Sequence, residues 1–305
     1  MKNIITGASG LLGSAIRREL GEGNIYLSSR DVDLLDNEKT SSFLWENKDD
    51  SDTIIHCAAK VGGVKANMDD NEGFFRDNYI MNKNLLENAY KWEYKNVVSI
   101  LSTCVFPDDV KYPLTADKID QGPPHPSNYG YSYAKRMLGY TTKTLGAMSK
   151  GNWISIIPTN LYGINDNFNL NDSHLIPALI RKAYEAKRDG GDFMVWGDGT
   201  PLRQFVFSDD MAKIILWAKD NWKRDIPMMA VNEKEYSISE VANIIAEKFE
   251  IPQERVKFDT TKPKGQFRKP AKSDVVDFEF TPLEEGLSKT IDWFAENYES
   301  GNIRL

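Results

Sequence analysis

The sequence of 305 residues is poor in the residue types that most often mark redox or metal chemistry, with two cysteines and three histidines. Two cysteines cannot build the disulfide framework of a small secreted protein, and Cys and His are too scattered to predict a metal site. Basic residues are outnumbered, with 38 Lys and Arg against 45 Asp and Glu. The resulting net charge of -7 argues against general binding to nucleic acid or anionic membranes.

Long apolar runs are also missing from the sequence. No stretch approaches the roughly 18 residues of a membrane span. The amino end, MKNIITGASG, has neither the length nor the apolar block of a secretory signal. We therefore expect a cytoplasmic protein, and 41% hydrophobic residues are enough for one large domain or two closely joined ones.

Short apolar runs alternate with longer helical patterns through the first half of the chain. Nearly continuous apolar strands separated by helices are typical of a parallel sheet covered on both faces. The predicted fold class is therefore α/β, a Rossmann-type doubly wound parallel sheet. Strands are predicted at residues 2–6, 24–28, 53–57, 97–101 and 153–158, and helices at 11–20, 74–92 and 129–148.

The regular alternation of strand and helix patterns becomes weaker after residue 158. A polar Asn-rich loop precedes a helix at 175–187, the segment FMVWGDGTPLRQFVFSDD reads as strand, turn, strand, and a last helix covers 283–298. No linker or internal repeat separates the halves, so we expect a smaller α/β cap interleaved with the domain of the parallel sheet. The predicted division gives 1–163, with a returning segment near 203–232, to the sheet domain, and 164–202 with 233–305 to the cap.

A glycine loop joins the first strand to the first helix, where TGASGLLG contains Gly7, Gly10 and Gly13. Glycine lets the backbone approach a pyrophosphate, and the helix N-terminus supplies unpaired N–H groups and a positive dipole end. The spacing is GxxGxxG rather than GxGxxG, and a plain tight turn is the alternative. The order strand, loop, helix favours a dinucleotide site.

The second strand runs into LSSRDVD, which places Arg30 where an NAD enzyme usually has an acid for the ribose hydroxyls. A guanidinium suits a 2′-phosphate, so the predicted cofactor is NADP (NADPH). Asp31 and Asp33 follow closely and are either turn residues or, for Asp33, an adenine contact. Arg30 could also be an exposed surface charge.

The segment NYGYSYAKRM opens a helix and puts Tyr131 and Lys135 on one helix face. A free tyrosine has a pKa of about 10, and a nearby ammonium would lower the pKa of Tyr131. Ser102, at the end of the fourth strand, is placed to hydrogen-bond the same substrate oxygen. Any single YxxxK is common, but together with the glycine loop and the upstream Ser it indicates a reductase site.

These motifs, in this order, resemble the extended short-chain dehydrogenase/reductase family. TGxxGxxG is followed by HCAAKVGG, LSTCVFP and YSYAK, and the likeness continues through PTNLYGINDNFN, DSHLIPALIRK, VWGDGTPLRQF and FDTTKPKGQFRK. The Cys after the Ser and the SHLIPALI block are specific to one subgroup. That subgroup acts on a GDP-linked 4-keto-6-deoxy hexose, inverts both carbons that flank the ketone, and then reduces the ketone with NADPH.

The resemblance implies roles for individual residues. Ser102 and Tyr131 would bind the ketone oxygen, which becomes an enolate oxygen during each inversion. Cys104 would be the base and His174 the acid on the opposite face. A small buried hydrophobe is the alternative for Cys104. The predicted catalytic residues are Ser102, Cys104, Tyr131, Lys135 and His174.

The binding residues are also implied by the resemblance. Lys182, Arg203 and Lys269 are expected at the diphosphate or sugar, and Asn160 and Trp196 are expected to line the sugar and base; a solvated surface position is the alternative for each cation. Cofactor contacts are expected from Gly7, Ser9, Gly10, Leu11, Gly13, Arg30, Asp33, Leu34, Ala58, Ala59, Lys135, Pro158, Asn160, Leu161 and His174.

Three other functions stay open at this point. One is a colitose-type epimerase/reductase acting on a 3-deoxy sugar, and another is a different nucleotide-sugar epimerase, which would need neither Cys104 nor His174. The third, from another class, is a non-catalytic NADP-binding sensor, although such proteins typically lose the Tyr or the Lys. The long amphipathic helices at 74–92 and 129–148 are expected to form a homodimer face, as in relatives of the family.

Overall fold

The computed structural model describes residues 1–262, 266–301 and 303–305. Within these residues no helix is both long and apolar enough to cross a membrane. The helices are α1 (Leu11–Leu20), α2 (Asn37–Asn47), α3 (Val64–Asp69), α4 (Asn71–Lys91), α5 (Tyr129–Met148), α6 (Leu175–Asp189), α7 (Ser208–Asn221), α8 (Ile238–Lys248) and α9 (Leu283–Tyr298). The strands are β1 (Lys2–Thr6), β2 (Ile25–Leu27), β3 (Ser51–His56), β4 (Asn96–Ile100), β5 (Asn152–Pro158), β6 (Asn160–Tyr162), β7 (Phe193–Trp196), β8 (Leu202–Phe207), β9 (Met228–Ala230), β10 (Glu235–Ser237) and β11 (Val256–Asp259).

Six strands form the main sheet in the order β2-β1-β3-β4-β5-β9, and every neighbouring pair is parallel. The chain leaves β1 for β2 on one side and returns to β3 on the other side. In such sheets this reversal opens a crevice at the carboxyl ends of the strands, where ligands bind. The predicted Rossmann-type sheet is confirmed, and its five predicted strands are all present.

Both faces of the main sheet are apolar, as expected for a sheet covered on two sides. Along β1, Ile4 joins the apolar cluster on one face and Ile5 joins the cluster on the other; along β4, Val97 and Val98 alternate in the same way. This alternation follows from the period of two of an extended strand. Helices α4 and α5 pack together, and α1 packs with α7, so helices supply the covering layers.

A smaller part of the molecule is built around a separate apolar cluster that includes Phe168, Phe193 and Phe294. It contains a three-stranded sheet, β10-β8-β6, and a two-stranded sheet, β11-β7. The predicted strand, turn, strand therefore consists of β7 and β8, but these two strands do not pair with each other. Strand β7 pairs with β11, and β8 pairs with β6 and β10.

The two parts are joined by more than one crossing of the chain. Strand β9, inside the predicted returning segment, is the last strand of the main sheet. Strand β6 follows directly from β5 but pairs with β8. The predicted domain boundary near residue 163 therefore lies where the two parts of the molecule are in close contact. The division into a cofactor domain and a cap stays a prediction.

The glycine loop provides a test of how closely this region is packed. A Cβ at Gly13 would lie 2.3 Å from the backbone oxygen of Gly7 and 2.6 Å from the Cα of Ala8. Because backbone atoms cannot move aside easily, Gly13→Ala should displace the loop, lower the melting temperature by several degrees and weaken NADPH binding. Thermal unfolding with and without NADPH measures both effects. Gly191→Ala is the control, since a Cβ at Gly191 meets no atom within 4 Å and both quantities should be unchanged.

Candidate active site

A cavity of about 660 Å³ lies at the carboxyl ends of the central strands, where the reversal of strand order predicts a ligand site. Most residues predicted from the sequence line it. They are Gly7, Ser9, Gly10, Leu11, Gly13, Asp33, Leu34, Ala58, Ala59, Ser102, Cys104, Tyr131, Lys135, Pro158, Asn160, Leu161, His174 and Arg203. Four predicted residues, Arg30, Lys182, Trp196 and Lys269, are not part of its wall.

The glycine loop forms one end of the cavity and fits a dinucleotide. Gly7 has φ +66°, and a Cβ there would lie 2.7 Å from the backbone nitrogen of Ala58, so only glycine allows this approach. Gly10 precedes α1 and supplies no side-chain cap, and the first turn of α1 contains no acidic residue. The N–H groups of that turn are therefore available to an anion such as a pyrophosphate.

The segment after β2 continues the cavity wall but leaves Arg30 outside it. Ser28, Ser29 and Asp33 line the cavity, whereas the Arg30 side chain is exposed. Asp33 accepts a hydrogen bond from the backbone nitrogen of Leu35 at 3.0 Å, which makes it a turn residue as well as a wall residue. Arg30 thus directly follows a wall residue, Ser29, and its contact with a 2′-phosphate stays a prediction.

Helix α5 is held in place at its first turn. The backbone nitrogen of Gly130 donates to the Asn71 side-chain oxygen at 2.6 Å, and a Cβ at Gly130 would lie only 2.0 Å from the Asn71 backbone oxygen. The starts of α4 and α5 are therefore in direct contact. This contact fixes the position of Tyr131, one residue further on, in the cavity wall.

Tyr131, Lys135 and Ser102 meet at the end of β4, as the sequence predicts. Lys135 is buried and its Nζ donates to the Ile100 backbone oxygen at 2.7 Å, while the same Nζ lies 5.8 Å from the centre of the Tyr131 ring. Ser102 Oγ accepts a hydrogen bond from the backbone nitrogen of Cys104 at 3.2 Å. Its own proton is therefore free to be donated towards Tyr131 or a ligand.

The protonation of this group differs from the expectation for Tyr131. Burial raises the pKa of Tyr131, and the nearby Cys104 adds to the rise, while the hydrogen bond with Ser102 partly opposes it. The expected lowering by Lys135 is outweighed by the loss of water around the phenol. Burial also lowers the pKa of Lys135 to about 8. Tyr131 is consequently a protonated hydroxyl at neutral pH.

Cys104 lies on the cavity wall in a short 3₁₀ turn, Thr103–Val105, directly after β4. Lys269 approaches the same turn, with its Nζ donating to the Thr103 backbone oxygen at 3.1 Å. Burial lowers the pKa of Lys269, and the neighbouring Cys104 and Asp108 partly restore it. Although Lys269 is not part of the main cavity wall, it lines a smaller adjoining cavity of about 80 Å³ together with Asn160 and Arg203.

His174 enters the cavity from the smaller part of the molecule. It directly precedes α6, where it has extended backbone angles, and its ring is exposed at the cavity surface. The surrounding walls exclude enough water to lower the pKa of its imidazole, and the Asp172 carboxylate partly offsets this effect. Cys104 and His174 therefore face one cavity from two different parts of the fold.

Arg203 and Lys182 have different surroundings. The Arg203 guanidinium donates to the Leu202 backbone oxygen at 2.7 Å, and burial lowers its pKa. Lys182 lies over the ring of Trp196, with its Nζ 4.4 Å from the ring centre, and burial also lowers its pKa. Lys182 and Trp196 thus form a separate pair away from the main cavity, with Trp196 largely exposed.

The two other histidines, His56 and His125, lie outside the main cavity wall. His56 is buried, and its ring bonds to Thr6 Oγ1 at 2.7 Å and to Asn82 Oδ1 at 2.9 Å. Burial lowers the pKa of His56 to about 4, so it is neutral. His125 is bonded to its own neighbour Ser127 and does not line the cavity.

The Asn-rich loop after β6 contributes wall residues that motif analysis did not identify. Asp166 is 5% exposed, lines the cavity, and its Oδ2 has no hydrogen-bond partner among the residues described. Burial raises the pKa of Asp166 to about 7, while the Asn167 backbone and Arg304 oppose the rise. Asn167, Asp172 and Ser173 of the same loop also line the cavity. Thr159 and Arg304, from outside the loop, are further wall residues that no motif identified. The polar character of the loop was visible in the sequence, but not which of its side chains turn inward.

The fold and the site together define the class of protein. A profile of the NAD dependent epimerase/dehydratase family matches residues 3–232, and the chain belongs to that family. A nucleotide loop, a Ser-Tyr-Lys group and a cavity that both of them line are the features that such an enzyme requires.

More specific relatives share almost the whole chain. A GDP-L-fucose synthase of Dictyostelium discoideum is 39% identical, over 97% of this chain and 96% of its own length. A crystal structure of a GDP-L-fucose synthetase from Naegleria fowleri bound to NADP superimposes with a TM-score of 0.92 at 37% identity, covering 99% of this chain and 94% of that one. A GDP-L-colitose synthase of Yersinia pseudotuberculosis is 32% identical, over 96% of this chain and 98% of its own length.

The buried Asp166 carboxyl predicts a pH-dependent stability. Its folded pKa of about 7 lies above the ordinary value of 3.8, so the unfolded chain releases the proton first as the pH rises. Between about pH 4 and pH 7 this residue therefore makes folding progressively less favourable, and Asp166→Asn removes that loss. The melting temperature of the variant relative to the parent should rise across this range and then level off. A constant difference, measured by thermal unfolding at several pH values, would show that Asp166 is ionised in the folded protein.

Proposed function

We propose that the chain converts GDP-4-keto-6-deoxy-D-mannose into GDP-L-fucose by inverting both carbons that flank the ketone and then reducing the ketone with NADPH. The observation that carries this proposal is the meeting of Cys104 and His174 with the Ser102, Tyr131 and Lys135 group around one cavity. A plain reductase or a 4-epimerase needs the latter group but not the thiol and the imidazole. Full-length similarity to GDP-L-fucose synthases supports the same activity.

Ser102 and Tyr131 are assigned to the ketone oxygen. The Ser102 hydroxyl is oriented by the Cys104 backbone N–H, and burial keeps the Tyr131 phenol protonated. Two hydroxyl donors aimed at one oxygen stabilise the negative charge that develops on it whenever a neighbouring carbon loses a proton. One pair of donors can thus serve both inversions and the final reduction.

Cys104 and His174 are assigned to the proton transfers at carbon. Inversion requires a base on one face of the hexose and an acid on the other. Cys104 extends from the end of β4 and His174 from the start of α6, so the two groups approach from separate parts of the fold. The lowered pKa of His174 makes its imidazolium a stronger acid than free histidine.

The reduction uses the same oxygen site. NADPH, when bound, supplies the hydride that the ketone carbon accepts. Tyr131 gives the oxygen its proton, and Lys135, fixed against the end of β4, holds a positive charge beside Tyr131 as that proton leaves. Lys135 keeps this charge at neutral pH because its pKa is about 8.

The GDP part of the substrate is assigned to the basic residues around the smaller cavity. Arg203 and Lys269 line it, both are half-buried, and neither forms an ion pair with a carboxylate among the residues described. Their positive charge suits a diphosphate. Lys182, predicted at the diphosphate or sugar, and Trp196, predicted at the sugar and base, pair with each other at a more exposed position.

Deuterium incorporation tests the two inversions directly. With GDP-4-keto-6-deoxy-D-mannose and NADPH in heavy water, the product should carry deuterium at both carbons that flank the former ketone, because each receives a solvent-derived proton. Mass spectrometry and NMR of the product locate the label. Deuterium at one carbon only would favour an enzyme for a 3-deoxy sugar, and its absence from both would leave a simple reductase.

The role of the thiol is tested by Cys104→Ser. This variant should bind NADPH normally but incorporate deuterium at least about 100-fold more slowly, since a serine hydroxyl, unlike a thiol, does not ionise near neutral pH to give the anionic base. Cys57→Ala is the matched control, because burial raises the pKa of Cys57 to about 12 and this thiol cannot act as a base at neutral pH. Normal L-fucose formation by Cys104→Ser would refute the assignment.

We also propose a homodimer formed through α4 and α5. These helices pack together and expose aromatic side chains on their outer surfaces, including the stacked pair Phe75 and Tyr79 and, on α5, Tyr129 and Tyr140. Paired helices from two chains would bury this apolar surface as a four-helix bundle.

Introducing a charge on this surface should separate the two chains. Tyr79→Arg should convert a species of twice 34.7 kDa into one of 34.7 kDa, measured by analytical ultracentrifugation. Trp217→Arg is the control, since Trp217 is an exposed aromatic residue on α7 and its replacement should leave the dimer intact. A parent protein that sediments as a monomer would contradict the proposal.

A cytoplasmic location also stays a prediction. Cys57 and Cys104 are both free thiols, which suits a reducing compartment. Fractionation of the native source followed by detection of the enzyme would test it.

A further inference from the structure

The cationic side chains on the main cavity wall raise a question that the catalytic assignment does not answer. Among the wall residues described, they are Lys135, Arg203 and Arg304. Lys135 is engaged beside Tyr131, and Arg203 lies at the junction with the smaller cavity. Arg304 has no role in the reaction as assigned, and it comes from the segment that follows α9.

Arg304 is held at the cavity by backbone contacts. The backbone nitrogen of Phe168 donates to the Arg304 oxygen at 2.9 Å, and Asn167 forms a parallel β-bridge with Arg304. The segment after α9 is thereby attached to the Asn-rich loop. The position of Arg304 on the wall is thus fixed by its main chain and not only by a flexible side chain.

The Arg304 guanidinium is linked to the glycine loop by hydrogen bonds through one intervening residue. Its Nη2 donates to the Asn165 backbone oxygen at 2.8 Å, and the Asn165 side-chain nitrogen donates to the Ser9 backbone oxygen at 2.9 Å. Ser9 directly precedes Gly10, the residue at the start of α1. Hydrogen bonds through Asn165 therefore connect Arg304 to the glycine-loop end of the cavity.

Negative charge at this end of the cavity would require a cation to balance it. A dinucleotide would bring two negative charges to this end of the cavity in its diphosphate. The N–H groups of the first turn of α1 carry only partial positive charge. A guanidinium has five N–H donors, and the single bond to Asn165 leaves others for phosphate oxygens.

We propose that Arg304 binds the diphosphate of the dinucleotide cofactor together with the glycine loop. The proposal rests on the NADPH dependence of the proposed function. It gives the segment after α9 a direct part in cofactor binding, although this segment lies far along the chain from the nucleotide motif. It also assigns the two arginines to different parts of the cofactor. Arg30 faces the adenosine end, where a 2′-phosphate would lie, and Arg304 faces the diphosphate.

Isothermal titration calorimetry of the full chain with NADP⁺, NAD⁺ and 2′-AMP distinguishes these positions. Arg304→Gln should weaken NADP⁺ and NAD⁺ binding by the same factor, about tenfold or more, because both carry the diphosphate. Binding of 2′-AMP, which lacks the diphosphate, should stay within about twofold. Arg30→Ala should give the opposite pattern, with NADP⁺ and 2′-AMP weakened and NAD⁺ unchanged. Arg188→Gln, an exposed arginine paired with Asp189 outside the cavity wall, should bind all three as the parent does.

Two further measurements separate charge from structure. Arg304→Lys keeps the positive charge and should recover part of the lost affinity, and the ligand-free melting temperature of Arg304→Gln should match the parent. A loss confined to NADP⁺, unchanged affinity, or weaker 2′-AMP binding with a lower melting temperature would overturn the proposal. Failure of the parent protein to bind NADP⁺ would instead overturn the cofactor assignment itself.

Discussion

The hydrogen bond from the buried Lys135 ammonium to the Ile100 backbone oxygen fixes the geometry on which the site depends. The Lys135 side chain is 3% exposed, and a buried cation without an acceptor would be strongly unfavourable. The bond therefore ties α5 to the carboxyl end of β4. Tyr131, one turn earlier on α5, is brought beside Ser102, and Cys104 follows in the same short turn. Three functional groups are thus placed by one buried charge.

Elements with a strong local pattern were predictable, and elements defined by distant contacts were not. The bounds of α1, α5 and α9 agree with those expected from the sequence, since each has a clear apolar face and a recognisable end. Helix α2 was missed because its sequence, NEKTSSFLWEN, is largely polar. Its Asp36 cap, which accepts from the Glu38 and Lys39 backbone nitrogens, was the available signal. The partners of β7 and β8 depend on strands far along the chain, so no local pattern could identify them.

The same distinction holds for the candidate site. The glycine loop and the Tyr131–Lys135 pair are local motifs, and the structure brings them to one cavity as expected. Asp166 and Arg304 belong to the same wall but carry no motif of their own. Arg304 reaches its position only through contacts with residues about 139 positions earlier in the chain. Its proximity to the cofactor end therefore became visible only when the segment after α9 was placed against the Asn-rich loop.

The distribution of buried cations explains how an acidic protein can bind a doubly anionic substrate. Among the Lys and Arg side chains described, four have a pKa lowered by burial: Lys135, Lys182, Arg203 and Lys269. The other Lys and Arg side chains with a shifted pKa have a raised one, as Arg17 does beside Glu22 and Arg268 beside Glu235. Burying a cation without a close carboxylate is unfavourable until an anion arrives. A GDP-sugar would supply that anion, so the net charge of -7 says little about ligand binding, and the proposed substrate contacts are instead the few cations that form no ion pair with a carboxylate.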